Sequence, residues 1–147
     1  MSIVRIARLL SIATLAVLAI AVQVPTAAAA STDAKSRVVM QVSDADPGKW
    51  NLALNNAKNV QKDLGASNVE VEIVAYGPGI GMLKAESVVG NRIEEAMKAG
   101  VKVVACENTM HGQKLTKADM LNGIAYTPAG VTEIMRRQQE GWAYLRP

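Results

Sequence analysis

Cys106 and His111 are the only cysteine and the only histidine in this chain. Both sit in "VVACENTMHGQ", Val103 to Gln113. A thiol reacts as its thiolate, so the local pKa decides what such a cysteine can do. The valine run stops just before Cys106 and polar residues follow, which places the cysteine at the end of a buried strand. If "ENTMH" forms a helical turn, Cys106 stands at its N-terminus, where free backbone N–H groups favour an anion. His111 lies a little over one turn on, within reach to donate a hydrogen bond to the sulfur. Glu107 opposes this, because a neighbouring carboxylate raises a thiol pKa. These effects are of similar size and leave the sign of the shift open. The competing reading is packing. Free cysteine is among the most buried residue types, and a lone histidine is commonly a surface one.

The second candidate is the glycine-rich stretch "AYGPGIGML", Ala75 to Leu83. Gly77, Gly79 and Gly81 imitate G-x-G spacing, but Pro78 removes a backbone donor. Met82 occupies the position three after Gly79, and no Gly-Lys-Ser/Thr follows, so neither a dinucleotide nor a P-loop fingerprint is present. The stretch is read as a tight turn that brings backbone near the Cys106 rim, with Gly79 as its candidate binding residue. Asp44 and Asp46 are read as helix-capping acids rather than a metal pair, and Trp50 and Trp142 as core or interface. One Cys and one His fall short of a zinc ligand set. No metal and no cofactor are expected.

The chain has 147 residues and a formal charge of +3. Its start has the pattern of a secretory leader: Arg5 and Arg8, an apolar stretch from Leu9 to Val22, then "TAAAAS" with Ala28 and Ala30 at the small-residue positions. Cleavage is expected after Ala30, which predicts a periplasmic or secreted protein with no membrane attachment afterwards. Removing residues 1–30 takes two of the 16 positive charges and no negative ones, so the mature chain is closer to neutral. No Lys/Arg stripe marks a nucleic-acid surface. Arg136 and Arg137 are a pair only, read as a solvated helix face. Export allows disulfides, yet one cysteine cannot close an intrachain bridge, which points to a free thiol with a task or to intermolecular pairing.

The remaining length holds one domain, residues 37–147, after a flexible segment 31–36. "RVVMQV" predicts a buried strand. Trp50, Ala53, Leu54, Ala57, Val60 and Leu64 recur at helical spacing, and Gly65 ends that helix. "NVEVEIVAYG" predicts a second strand, half exposed at its start, where Glu70 and Glu72 share one face. A helix is expected from Asn91, with Glu94 completing a capping box and Gly100 ending it. "VKVVAC" predicts the third strand, Thr116 and Asp119 an N-cap pattern, and "IAYTP" the fourth strand. Val131 to Gln138 predict the last helix, and "WAYL" a fifth strand. Strands alternating with amphipathic helices predict a parallel sheet covered on both faces. In such sheets reactive groups gather beyond the carboxyl ends of the strands, which is where Cys106 falls.

The stretches "RVVMQVSDADPGKWNLALNNAKNV", "VEIVAYGPGIGML", "GVKVVACENTM" and "YTPAGVTEIMRRQQEGWAYLRP", in that order, resemble the DsrE/DsrF-like family, which includes sulfur-relay subunits. The resemblance covers Arg37 to Pro147. It implies a three-layer α/β/α domain with a five-stranded, mainly parallel sheet, and assembly as trimers or hexamers. In sulfur-relay members a cysteine at the end of the third strand accepts sulfane sulfur as a persulfide, and only Cys106 can take that role here. The expectation is therefore an exported sulfur-binding or sulfur-transfer protein. Cys106 would react, His111 and Asn108 would be its neighbours, and a donor or acceptor protein its partner. The alternative is a non-catalytic module that binds a small ligand or a protein at the same rim. A thiol-redox role ranks third, since no C-x-x-C is present. The apolar "GWAYL" beside a small core adds to the expectation of a homo-oligomer.

Overall fold

The computed structural model describes residues 35–147. The leader expected over residues 1–30, and residues 31–34 of the following segment, lie outside it. Five strands form one sheet: β1 (Ser36–Val42), β2 (Val69–Ala75), β3 (Lys102–Cys106), β4 (Ala125–Thr127) and β5 (Ala143–Leu145). Their order is β4-β3-β2-β1-β5. Every pairing is parallel, so the sheet expected to be mainly parallel is parallel throughout. Four helices connect the strands: α1 (Pro47–Leu64), α2 (Gly90–Lys98), α3 (Glu107–Gly112) and α4 (Gly130–Gln139). A 3-10 segment, Gly77–Leu83, replaces the tight turn expected after β2, and a shorter one covers Lys117–Asp119.

Side chains alternate between the two faces of a strand. Val38, Met40, Ile73 and Val103 face α1 and α2 and pack with Trp50, Ala53, Leu54 and Ile93. Val39, Val74 and Val104 face α4 and pack with Ile134 and Trp142. The core is thus split by the sheet, and its α4 side is the smaller. Among the described residues no helix is long and apolar enough to cross a membrane.

The helix ends show how far local chemistry sets the elements. Asp46 caps α1, accepting from the Gly48 N–H at 2.8 Å. The helix starts at Pro47, earlier than the apolar spacing indicates, because proline suits a first turn. Gly65 ends it at φ +85°, a left-handed conformation that glycine adopts without strain. Thr116 and Asp119 form a reciprocal capping box. The box expected at Asn91 and Glu94 does not form. α2 starts one residue earlier, with Val89 at the N-cap and no side-chain cap. The apolar contact of the buried Val89 and Ile93 sets that start.

Two expectations about charge are corrected. Alternation along β2 predicts a half-exposed Glu72, but its side chain is fully buried. The Arg136–Arg137 pair predicts a solvated helix face, but only 16% of the Arg137 side chain is exposed. The two misplaced residues meet. Arg137 Nη2 donates to Glu72 Oε2 at 2.8 Å, and Lys102 Nζ reaches the same oxygen at 3.1 Å. α4 lies across the strand that carries Glu72, and burying that acid without a cation would cost several kcal/mol, about 3–5.

Candidate functional site

β3 carries Cys106 to the carboxyl rim of the sheet, between β2 and β4. Its register partner on β4 is Thr127. On the β2 side Ala105 pairs with Ala75, so Tyr76 follows next to Cys106. The cysteine is also the N-cap residue of α3. It points to the α4 face, as Val104 does two residues earlier. The residue is only 5% exposed.

Gly130, the first residue of α4, donates its N–H to the Cys106 sulfur at 3.2 Å. A side chain there would be crowded. A Cβ on residue 130 would sit 3.1 Å from Tyr76 Cβ, 3.2 Å from Tyr76 Cδ1 and 3.3 Å from Cys106 Cβ. Without one, the α4 N-terminus closes directly on the thiol. The first turn of α3 completes no full hydrogen bond to the sulfur. Even so, its Asn108 and Thr109 N–H groups and the Thr109 hydroxyl lie close enough to favour the charged form. The sulfur therefore sits between two helix N-termini, each carrying partial positive charge.

Burial pushes the Cys106 thiol pKa up. The Thr109 hydroxyl and the N–H groups of Gly130, Thr109 and Asn108 outweigh it and bring the pKa below its ordinary value. The sign left open by the sequence is thus negative. Glu107, expected to work against this, has Lys117 Nζ 3.9 Å from its carboxylate. Thr109 is itself held in place, because its Oγ1 accepts the Gly77 N–H at 2.9 Å. That bond occupies a lone pair of the hydroxyl and leaves its proton for the sulfur.

The four residues singled out in the sequence occupy different positions at this rim. Cys106 is at the centre. The Asn108 N–H donates to Pro128 O at 3.1 Å and makes only the smallest of the favourable contributions at the sulfur, while the Asn108 side chain is exposed. His111 is exposed in the last turn of α3 and is not among the sulfur's hydrogen-bond partners. Gly79 is buried in the 3-10 segment over the end of β1, where a Cβ would lie 2.3 Å from Val42 O. Its place is to seat that segment, whose first residue then holds Thr109.

Thr109, Gly130 and Tyr76 are site residues that the sequence does not single out. Thr109 is visible inside "ENTMH", three residues after Cys106, the spacing of an N-cap contact. Gly130 opens the last helix in "PAG", but nothing local says that this helix end meets β3.

A family model for the DsrE/DsrF-like family matches residues 26–147. Among solved structures, MTH1491 from Methanobacterium thermoautotrophicum, a protein of unknown function, is 35% identical. The match covers 77% of this chain and 100% of that one, at a TM-score of 0.74. BT1422 from Bacteroides thetaiotaomicron, also of unknown function, is 14% identical, over 80% of this chain and 100% of that one, at a TM-score of 0.60. YchN from E. coli is 12% identical, over 76% and 99%, at a TM-score of 0.59. These last two share the fold. No curated protein matches the sequence.

Proposed function

The chain belongs to the DsrE/DsrF-like family, and from that premise we propose that Cys106 takes up sulfane sulfur as a persulfide and hands it on. The observation that carries this reading is the 3.2 Å contact from the Gly130 N–H to the sulfur of the chain's only thiol. A thiol that merely fills volume has no need of a backbone donor brought in from another helix. The step balances without an external oxidant. The Cys106 thiolate attacks the outer sulfur of a donor persulfide, R–S–SH. A bond forms from Cys106 Sγ to that sulfur as the donor S–S bond breaks, and the bonding pair leaves on R–S⁻. Delivery is the same exchange toward an acceptor thiolate. With no second cysteine in the chain, the persulfide cannot collapse into an intrachain disulfide.

The same proposal places the protein outside the cytoplasm, on the leader pattern of residues 1–30. It also has the protein working as an oligomer, on the exposed Val131 and Met135 of α4 and the exposed Tyr144 and Leu145 of edge strand β5. Light scattering that gives a monomer would remove the oligomer. One mass measurement tests the rest. Native protein should begin at Ser31. Treated with a sulfane-sulfur donor, it should gain the mass of one sulfur atom, and Cys106→Ser should gain nothing. An adduct that survives that substitution, or none on the parent, overturns the reaction.

The burial of Cys106, at 5% exposed, supports the second reading, a binding module in which the thiol only packs. The two readings part on thiol labelling. A packing residue stays resistant to a small alkylating reagent in the folded protein at all pH values short of unfolding. A sulfur acceptor is labelled in the native state, and faster as the pH rises through its thiol pKa.

A further inference from the structure

The donor contact at Cys106 depends on where α4 lies along the sheet, and a charge network ties α4 to the sheet beside its apolar packing. Its sheet-facing side carries Glu133, Ile134 and Arg137, and of these only Ile134 adds to the apolar core on that face. Arg137 spans three carboxylates. Its Nη2 donates to Glu72 on β2 at 2.8 Å and lies 3.1 Å from Glu133, and its Nη1 donates to Glu140 at 3.1 Å. Lys102, the register partner of Glu72 on β3, reaches the same Glu72 oxygen at 3.1 Å, and Arg136 pairs with Glu133. The guanidinium also lies 4.6 Å from the Trp142 ring centre. Glu72 Oε1 and Arg137 Nε find no hydrogen-bond partner among the described residues. The network is therefore not the cheapest way to cover β2. Buried ion networks of this kind are poor stabilisers compared with apolar packing, and setting a register is their best-attested use.

We propose that Glu72 and Arg137 are positioning residues for the thiol, fixing the axial register of α4 so that the Gly130 N–H meets the Cys106 sulfur. Gly130 is two helical turns before Arg137, about 10 Å along the axis at 1.5 Å per residue. A slip of a single residue moves the N–H by about 1.5 Å, which ends the contact with the sulfur. Apolar side chains alone tolerate such sliding, whereas a forked guanidinium holding several carboxylates does not. The inference rests on the reading of Cys106 as a reactive thiolate, but its test is separate from sulfur uptake.

The test is the pH profile of Cys106 alkylation in folded variants. Arg137→Lys keeps the charge and loses the fork. Its thiol pKa should rise, and labelling below that pKa should slow by up to about tenfold, the worth of one charge-assisted hydrogen bond. Glu72→Leu separates position from field. Removing a negative charge lowers a thiol pKa through space, whereas loss of register raises it, and a rise is expected. Glu72→Gln, which keeps an acceptor oxygen for Arg137, should show no rise. A folded Arg137→Lys with an unchanged profile overturns the proposal, as does a Glu72→Leu profile that is unchanged or shifted down. If Glu72→Leu does not fold, Arg137→Lys decides alone. Sulfur uptake by the parent with an unmoved Arg137→Lys profile would sink the positioning role and leave the function standing. No uptake with a moved profile would do the reverse.

Discussion

Arg137→Ala should lose about 3–5 kcal/mol of unfolding free energy, the usual cost of removing one partner of a buried ion pair. Glu72 is fully buried on the central part of β2 and would keep only Lys102, whose side chain is 48% exposed. Urea denaturation at neutral pH measures the loss. Lys84→Ala is the control. Lys84 pairs with Glu86 at 3.7 Å in a solvent-accessible position, and its removal should change stability by less than about 1 kcal/mol. Equal losses at Arg137 and Lys84 would show that the buried network is not anchoring α4.

The same network predicts acid sensitivity. Burial raises the Glu133 pKa. The hydrogen bond from Arg136, and the charges of Arg137 and Arg136, outweigh it and hold the carboxyl below its ordinary value. A depressed folded pKa adds stability that is present above the ordinary carboxylate range and lost as the pH falls through the folded value. Arg137→Ala should therefore cost most near neutrality and progressively less in acid.

Gly79→Ala should cost about 3 kcal/mol, although it adds a single methyl group. The new Cβ would lie 2.3 Å from Val42 O, 2.6 Å from Val42 C and 2.9 Å from Ser43 Cα. All three are backbone atoms, so no rotamer change relieves the contact. The 3-10 segment must lift from the end of β1, which strains the bond from the Tyr76 N–H to Val42 O at 3.1 Å. Gly77→Ala is the comparison. Nothing lies within 4 Å of its added Cβ, and only its φ of +54° opposes the change, at about 1 kcal/mol. Thermal unfolding of both variants checks the order. A Gly79→Ala protein as stable as the parent would mean that the segment is not seated as described.

The elements are largely legible because their signals are local. Apolar runs locate the strands, 3.6-residue spacing locates α1 and α4, and Gly65, Gly100 and Gly141 stand at helix ends with positive φ. The start of α2 is less so, because Asn91 and Glu94 offer a capping pattern that the burial of Val89 and Ile93 overrides. Glu72 and Arg137 mislead for a related reason. A charged residue on alternating spacing signals solvent unless something covers it, and the partner lies 65 residues away in sequence.

The sequence by itself determined that there is one thiol, that it ends a strand and that a helical turn begins beside it. Those are matters of composition and short-range pattern. Only the tertiary structure decided the sign of the thiol's shift, because the Gly77 N–H holds the Thr109 hydroxyl at the sulfur from 32 residues away and the Gly130 N–H arrives from 24 residues away on a helix that Glu72 and Arg137 tie to the sheet. Long-range contacts of a few ångströms leave no periodic trace in the chain, yet they decide whether the surroundings of Cys106 disfavour or favour its charged form.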